Sequence, residues 1–353
     1  MAVLPGDVGG CGTYRMRMPA EAVAKIRPDW NVRVYPPKGH VQIGLDSHGR
    51  VVTVRNFDPW PDVLVLQRTG NPVLVAAARW LQERGVAIVT DFDDAMWCID
   101  RDNAAYAAWN NPQRHRGQHW RLCDQSAGFA DLVTVTTDKL ARHYGAHGRV
   151  EILPNRIPQQ WVTATPVVDG VPSGGWAGYT KTHPGDCAVS APAARVFHTK
   201  SELRVMADPM GAAREWGIDP GEVVGIDSTP TLGPDYFAGV ARVGVMLVGL
   251  TDSPFNRCKS TLKVLEAGAA GIPAIAAATD PHVRLQRDGF PVRVARTPAE
   301  WETHALDLCD PDTYRRACVE VQAAMSGYTV ESQAEAWAQA WERAAKRRAA
   351  VAA

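Results

Sequence analysis

Short β-rich apolar runs recur along the chain of 353 residues with helical patterns between them, and that alternation restricts the fold more than any other feature. Strands separated by helices pair in parallel, and parallel sheets need helices on both faces. In the first half, strands are expected at Ala2–Pro5, Val32–Tyr35, Val63–Gln67, Val86–Thr90, Leu132–Thr136 and Val150–Leu153. Apolar residues at helical spacing fill Pro72–Arg84 and His119–Phe129. One stretch breaks the rhythm: VQIGL and VVTVRN flank DSHGR near residues 41–56 and read as a β-hairpin. A Pro-, Gly- and polar-rich stretch, Pro154–Gly175, precedes a second series of strands. These are expected at Trp176–Tyr179, Leu203–Ala207, Val223–Ile226, Val243–Val248, Ala274–Ala277 and Val292–Val294. The chain therefore reads as two α/β domains, 1–160 and 161–330, closed by a helical tail, 331–353. Trp337 and Trp341 form an aromatic stripe on that tail, which must pack on something.

Bulk composition narrows the function. Lysine plus arginine equals aspartate plus glutamate at 38 each, so no net field favours a polyanion and nucleic acid is not the expected partner. The opening MAVLPGDVGGCGTYRMR lacks the order of a secretion signal, and no apolar stretch is long enough for a bilayer crossing. Cys11, Cys98, Cys123, Cys187, Cys258, Cys309 and Cys318 are scattered without CxxC spacing. They read as reduced thiols of a cytoplasmic protein.

Chemistry concentrates in SPFNRCKSTLKVLEAGAAGIP, residues 253–273, which follows the apolar run VGVMLVGL. A helix from the KS step is expected to end at Gly271, with Pro273 just beyond. On it Lys259, Lys263 and Glu266 fall at i, i+4 and i+7 and share one face. A helix start beside lysines suits a diphosphate, and a carboxylate further along can accept two ribose hydroxyls. On spacing alone the same stripe reads as a solvated face.

The segment resembles the donor-site motif of group-1 glycosyltransferases, family-4-like retaining enzymes of the GT-B fold. Asp252, Pro254, Phe255, Asn256, Lys259, Ser260, Lys263 and Glu266 carry the likeness. It implies that Glu266 holds the ribose of the nucleotide, while Lys259, Ser260 and Lys263 face diphosphate and sugar. Many relatives carry an acid eight positions before that Glu, touching the transferred sugar. Cys258 stands there in this chain, leaving Asn256 or backbone groups to replace it. WAGYTKTHPGD, residues 176–186, is similar to the opening of the family's C-terminal domain and adds Gly178, Thr180, Lys181 and His183 to the donor side. Taken alone, Thr182 or His183 reads as a helix cap. Residues 130–161 resemble the close of the N-terminal domain, with Asn155 in a turn.

Two N-terminal features complete the reading. GDVGGCGTYRMRMP, residues 6–19, is a glycine-rich loop whose Gly6, Gly9, Gly10 and Gly12 lack dinucleotide-fingerprint spacing. Gly10 and Gly12 allow close backbone approach to a ligand, and Arg15 could neutralise a phosphate. TDFDDAMW places Asp91, Asp93 and Asp94 at a strand end, where by themselves they read equally as a cap cluster; related group-1 sequences carry a similar step, which implies that Asp93 or Asp94 faces donor or acceptor hydroxyls. A metal-binding DxD lacks its further ligands, so no metal is expected. The resemblance implies two Rossmann-like domains facing a cleft, with the C-terminal helix crossing back to the first. It also implies hexose transfer, with retention and without a cofactor, from a UDP- or GDP-linked sugar to a protein, glycan, lipid or metabolite hydroxyl. A GT-B epimerase and a silent sugar-nucleotide or glycan binder remain the alternatives.

Overall fold

The computed structural model describes residues 1–37, 41–57, 59–111, 113, 119–145, 147–162, 170–227 and 232–352. Its N-terminal sheet contains β1 (Ala2–Leu4), β2 (Arg33–Val34), β5 (Val63–Gln67), β6 (Ala87–Phe92), β7 (Leu132–Val135) and β8 (Val150–Ile152), and every pairing is parallel. Between β2 and β5, β3 (Gln42–Leu45) and β4 (Val51–Arg55) form the antiparallel hairpin expected from the sequence. The second sheet, also parallel, contains β9 (Gly174–Gly178), β10 (Leu203–Ala207), β11 (Val223–Ile226), β12 (Val245–Val248), β13 (Ala274–Ala277) and β14 (Arg293–Ala295). Every residue of β5, β6, β7, β12 and β13 is buried, as a sheet covered on both faces requires.

Strand order fixes where a ligand can lie. The first sheet runs β2-β1-β5-β6-β7-β8 and the second β11-β10-β9-β12-β13-β14, so the winding reverses between β1 and β5 and between β9 and β12. At such a reversal the helices leave toward opposite faces and open a crevice beyond the carboxyl ends of the strands. Loops after β1, β5 and β6 meet loops after β9 and β12 there.

The tail is the helix Val330–Ala352. Trp337 and Trp341 are buried on it against Val3, Met16, Val65, Val89 and Leu132 of the N-terminal domain. Outer ties come from Arg343 to Glu151 and Arg348 to Asp131. Among the described residues, no helix is long and apolar enough to cross a membrane.

Under this helix the structure corrects the expectation for Arg15. Instead of offering a charge to a phosphate, its guanidinium is 1% exposed. Nε and Nη2 donate to the Asp91 carboxylate at 3.1 and 2.6 Å, and Nη1 donates to the Leu153 carbonyl at 2.5 Å and to Asn155 Oδ1 at 3.2 Å. Trp337 stacks 4.8 Å away. A charge this far from water persists only when paired and hydrogen-bonded. Removing one partner of a buried pair costs about 3–5 kcal/mol. Arg15→Ala is therefore expected to lower the unfolding free energy in urea by about that amount, whereas Arg315→Ala, which breaks an exposed pair with Asp312, should change it by less than about 1 kcal/mol.

Candidate active site

On the N-terminal side the glycine segment forms helical turns instead of an open loop. Gly10–Gly12 makes the first turn, Thr13–Arg17 a π-helical turn, and Met18–Ile26 an α-helix. Asp7 Oδ1 accepts from the Gly9 amide at 2.8 Å and the Gly12 amide at 3.1 Å. A carboxylate of the chain thus holds amides that such a loop can offer to a phosphate. Gly12 is obligatory, since a Cβ there would lie 2.0 Å from the Asp7 carbonyl oxygen. Gly10 faces Leu232 of the opposite domain.

Arg68, absent from the sequence reading, is the central cation of this side. It follows β5 at the winding reversal with a φ of 44°, its amide held by the Asp91 carbonyl at 3.0 Å. Its guanidinium bonds to Asp7 and lies 3.4 Å from Asp93. Burial opposes its charge, but Asp93, Cys11 and Asp7 outweigh that and raise its pKa. The neighbouring acids diverge. Burial pushes the Asp93 carboxyl up against the pull of Arg68. Burial acts on Asp94 in the same sense, but Lys259 reverses it and holds that carboxyl below its ordinary range.

Across the cleft, the turn after β12 is driven into the N-terminal domain. Phe255 and Cys258 belong to the apolar core around Phe92 and Tyr144, and Thr137 Oγ1 donates to the Cys258 carbonyl at 3.1 Å. This wedge corrects the expected helix. Asn256–Cys258 is a single 3₁₀ turn, Lys259 is extended (φ −62°, ψ 150°), and the α-helix begins only at Leu262. Lys259 therefore does not share a helix face with Lys263 and Glu266. Its Nζ reaches over to Asp94 Oδ1 at 2.8 Å. The far end forms as the sequence implies: the helix closes at Ala269, Gly271 is left-handed at φ 74°, and the Ile272 amide returns to the Ala267 carbonyl at 3.0 Å.

Several expected donor contacts are committed to bracing this turn. Asn256 is buried, its Nδ2 donating to Asp186 Oδ1 at 2.7 Å and to Thr251 Oγ1 at 2.8 Å. That corrects its expected role toward the sugar, because the amide faces inward. Thr180 is tied to Asp208 through its amide (3.1 Å) and hydroxyl (2.6 Å). His183 Nδ1 lies 3.2 Å from Asp186, and burial holds its pKa below the ordinary value. Lys181 is exposed, and its carbonyl receives the Ala104 amide at 2.8 Å. Gly178 ends β9 with the Trp176 ring where a side chain would go. Ser260 Oγ accepts from Asn155 Nδ2 at 3.0 Å, another bond across the cleft.

Glu266 is 3% exposed. Tyr14 OH, from the π turn of the N-terminal domain, donates to Oε1 at 2.9 Å. Tyr236 OH donates to Oε2 at 3.1 Å, and Lys263 Nζ donates to the same oxygen at 3.0 Å. Burial, followed by the Glu266 charge, pushes the Tyr14 hydroxyl well up and Tyr236 up to about 12, so both remain donors at neutral pH.

Two facing parallel sheets, winding reversals opposed across a cleft and a tail helix returning to the first domain make up one architecture. The chain has the GT-B fold. It superimposes on a glycosyltransferase from Rickettsia africae ESF-5 with a TM-score of 0.62 at 9% identity, covering 97% of both chains. For HepE of Anabaena, solved in complex with UDP, the TM-score is 0.57 at 12% identity, over 96% of this chain and 97% of that one. For TarM it is 0.58 at 10% identity, over 87% of this chain but only 65% of TarM. No protein-family model matches the sequence, and neither does any curated protein.

The Lys259–Asp94 bond ties the domains together, and its pH window follows from the two shifts. The lowered Asp94 pKa gives a contribution present above the usual carboxylate range and lost as pH falls through the lowered value. The raised Lys259 pKa gives one present below the usual lysine range and lost as pH rises through the raised value. Hydrogen exchange of residues 256–261, corrected for intrinsic rates, should be level at neutral pH and speed up at the acid end. Asp94→Asn should exchange faster at neutral pH and lack the acid step.

Proposed function

We propose that the chain transfers a hexose from a UDP- or GDP-linked sugar to an acceptor hydroxyl, with retained configuration and without a metal. The observation that carries this reading is the hydrogen bonding of Glu266: two hydroxyls, one on each carboxylate oxygen, with an ammonium beside them. A ribose presents two vicinal hydroxyls to a carboxylate in the same way. The nucleotide then exchanges its diol for Tyr14 and Tyr236, and Lys263 and Lys259 turn to the diphosphate. A protein of the same fold, HepE, was solved with UDP, which supports a nucleoside diphosphate as the ligand class.

Charge on the departing diphosphate grows as the glycosidic bond breaks, so fixed cations act more strongly on the transition state than on the ground state. Lys259, Lys263 and the amides before Leu262 supply that role. Asp94, from which Lys259 turns away, and the higher-pKa Asp93 face hydroxyls of the sugar or acceptor from the N-terminal side. Cys11, Asp93 and Asp94 bring three ligand atoms within 4.8 Å of one another, but the set mixes a thiol with carboxylates already opposed by Arg68 and Lys259. Because Cys258 replaces an acid and Glu266 is fully engaged, a binder without turnover is the competing reading.

Titration with UDP and GDP, followed by turnover assays with the matching sugars, separates the two. Glu266→Gln is expected to weaken nucleotide binding at least about tenfold, the loss of a charge-assisted hydrogen bond of about 1.5–3 kcal/mol. Tyr14→Phe should tighten it by removing a competitor for Oε1. Unchanged affinity in folded Glu266→Gln removes the ribose assignment. Lys263→Ala and Lys259→Ala should each lower turnover about a hundredfold or more, and EDTA should leave it intact. Nucleotide binding without transfer to any acceptor would favour the binder.

A further inference from the structure

On the other side of the same turn lies a cavity of about 230 Å³ that the donor reading does not use. Lys259 and Glu266 face one way, while Arg257, Ser260 and Thr261 face this second space. Its N-terminal wall is the end of β7 with the segment that follows, including Thr136, Thr137, Lys139 and Arg142, and the post-β8 residue Arg156. Its C-terminal wall is the start of the helix Asp280–Arg287, with Tyr328.

The charges do not balance. Five cations line the cavity against three carboxylates, Asp138, Asp280 and Asp288. Lys139 takes Asp280 at 2.9 Å, Arg284 takes Asp138, and Asp288 lies 3.6 Å from Arg287. Arg257 is held by Asp252 at 2.5 and 2.6 Å. Arg142 and Arg156 have no carboxylate partner among the described residues. Arg156 is the more telling, being half-buried, stacked 4.9 Å over the Tyr328 ring and, among the described residues, hydrogen-bonded only to the Asn155 carbonyl at 3.2 Å. A guanidinium withdrawn from water without a counter-charge is an incomplete ion pair.

We propose that this cavity is a second anion site, which takes a phosphate- or diphosphate-bearing small ligand across the two domains. Its volume is below the roughly 300–1,000 Å³ of drug-sized pockets, so it suits a compact anion and not a whole nucleotide sugar. Burial already depresses the Arg156 pKa, a cost that a bound anion relieves. With Arg142 and Arg156 on one domain and the Ser260–Thr261 step on the other, the ligand favours the closed cleft by binding it better than the open one. The proposal does not rest on the donor reading, because neither arginine belongs to it.

Inorganic pyrophosphate is the probe, titrated calorimetrically into the full chain. Arg156→Gln and Arg142→Gln are each expected to weaken its binding about tenfold or more, as loss of a charge-assisted contact does. Arg142 is exposed on its helix, so its variant stays folded even where Arg156→Gln does not. Lys263→Ala, on the donor side, should leave this binding in place. Absence of pyrophosphate binding, binding unchanged in Arg142→Gln and in any folded Arg156 variant, or binding lost only in Lys263→Ala would each overturn the site. Failure of the donor reading shows separately, in the nucleotide titration of Glu266→Gln.

Discussion

The guanidinium of Arg15 joins four parts of the chain that are distant in sequence. It leaves the turn after β1, pairs with Asp91 at the end of β6, and bonds the Leu153 carbonyl and the Asn155 amide at the start of the linker. Trp337 of the tail helix covers it. The candidate site depends on this junction on two sides. Tyr14 is the adjacent residue, and the π turn that sends Arg15 inward sends Tyr14 across to Glu266. Asn155 accepts from Arg15 with its oxygen and donates to Ser260 with its nitrogen. The core of one domain therefore sets the position of hydroxyl groups at the surface of the other.

Cations and acids alternate across the cleft itself. Asp7, Arg68, Asp93, then Asp94 and Lys259, then Lys263 and Glu266 form successive pairs with little charge left over. Low surrounding dielectric makes each pair stronger than in water and each unpaired member costlier. The divergence of Asp93 and Asp94 follows from the same arrangement. Lys259 bonds one of them directly, whereas Arg68 is shared between Asp93 and Asp7. Adjacent carboxyls whose surroundings push them in opposite directions are suited to different roles toward a proton.

Legibility in the sequence followed the physical range of the interactions. Strands buried on both faces read as continuous apolar runs, so β5 and β13 occur where expected, and the hairpin announced itself by its turn. The helix end at Gly271 was readable because capping is local. Its start was not. Periodicity carried the helix back to Lys259, but the insertion of Phe255 and Cys258 into the other domain's core outweighs local propensity and leaves Lys259 extended. Arg15 could not be told from a surface cation because its partner lies 76 residues away. Arg68 did carry a signal, though not a motif: it is the first residue after the strand beside β1, where the strand order places the winding reversal.

Most polar members of the site already have a partner, which decides how a ligand can bind there. A nucleotide bound as proposed would exchange hydrogen bonds in this cleft and not add them to free groups. On the proposed donor reading, Glu266 would give up phenol hydroxyls for sugar hydroxyls, and Lys259 would give up Asp94 for phosphate oxygens. Such an exchange returns only part of the strength of the new bond, because a charge-assisted bond is given up for each one gained. Net affinity must then come from what exchange does not cancel: the second negative charge of the diphosphate, and the apolar area buried by the base. Tyr14 and Lys259 both reach across the cleft, so the exchange also loosens the two domains unless the ligand itself spans them. A ligand that bonds only one domain holds the cleft open, whereas one that bonds both restores the closed form. If the side chains that hold the domains are the ones that release to bind, as proposed, substrate selection and domain closure are one equilibrium.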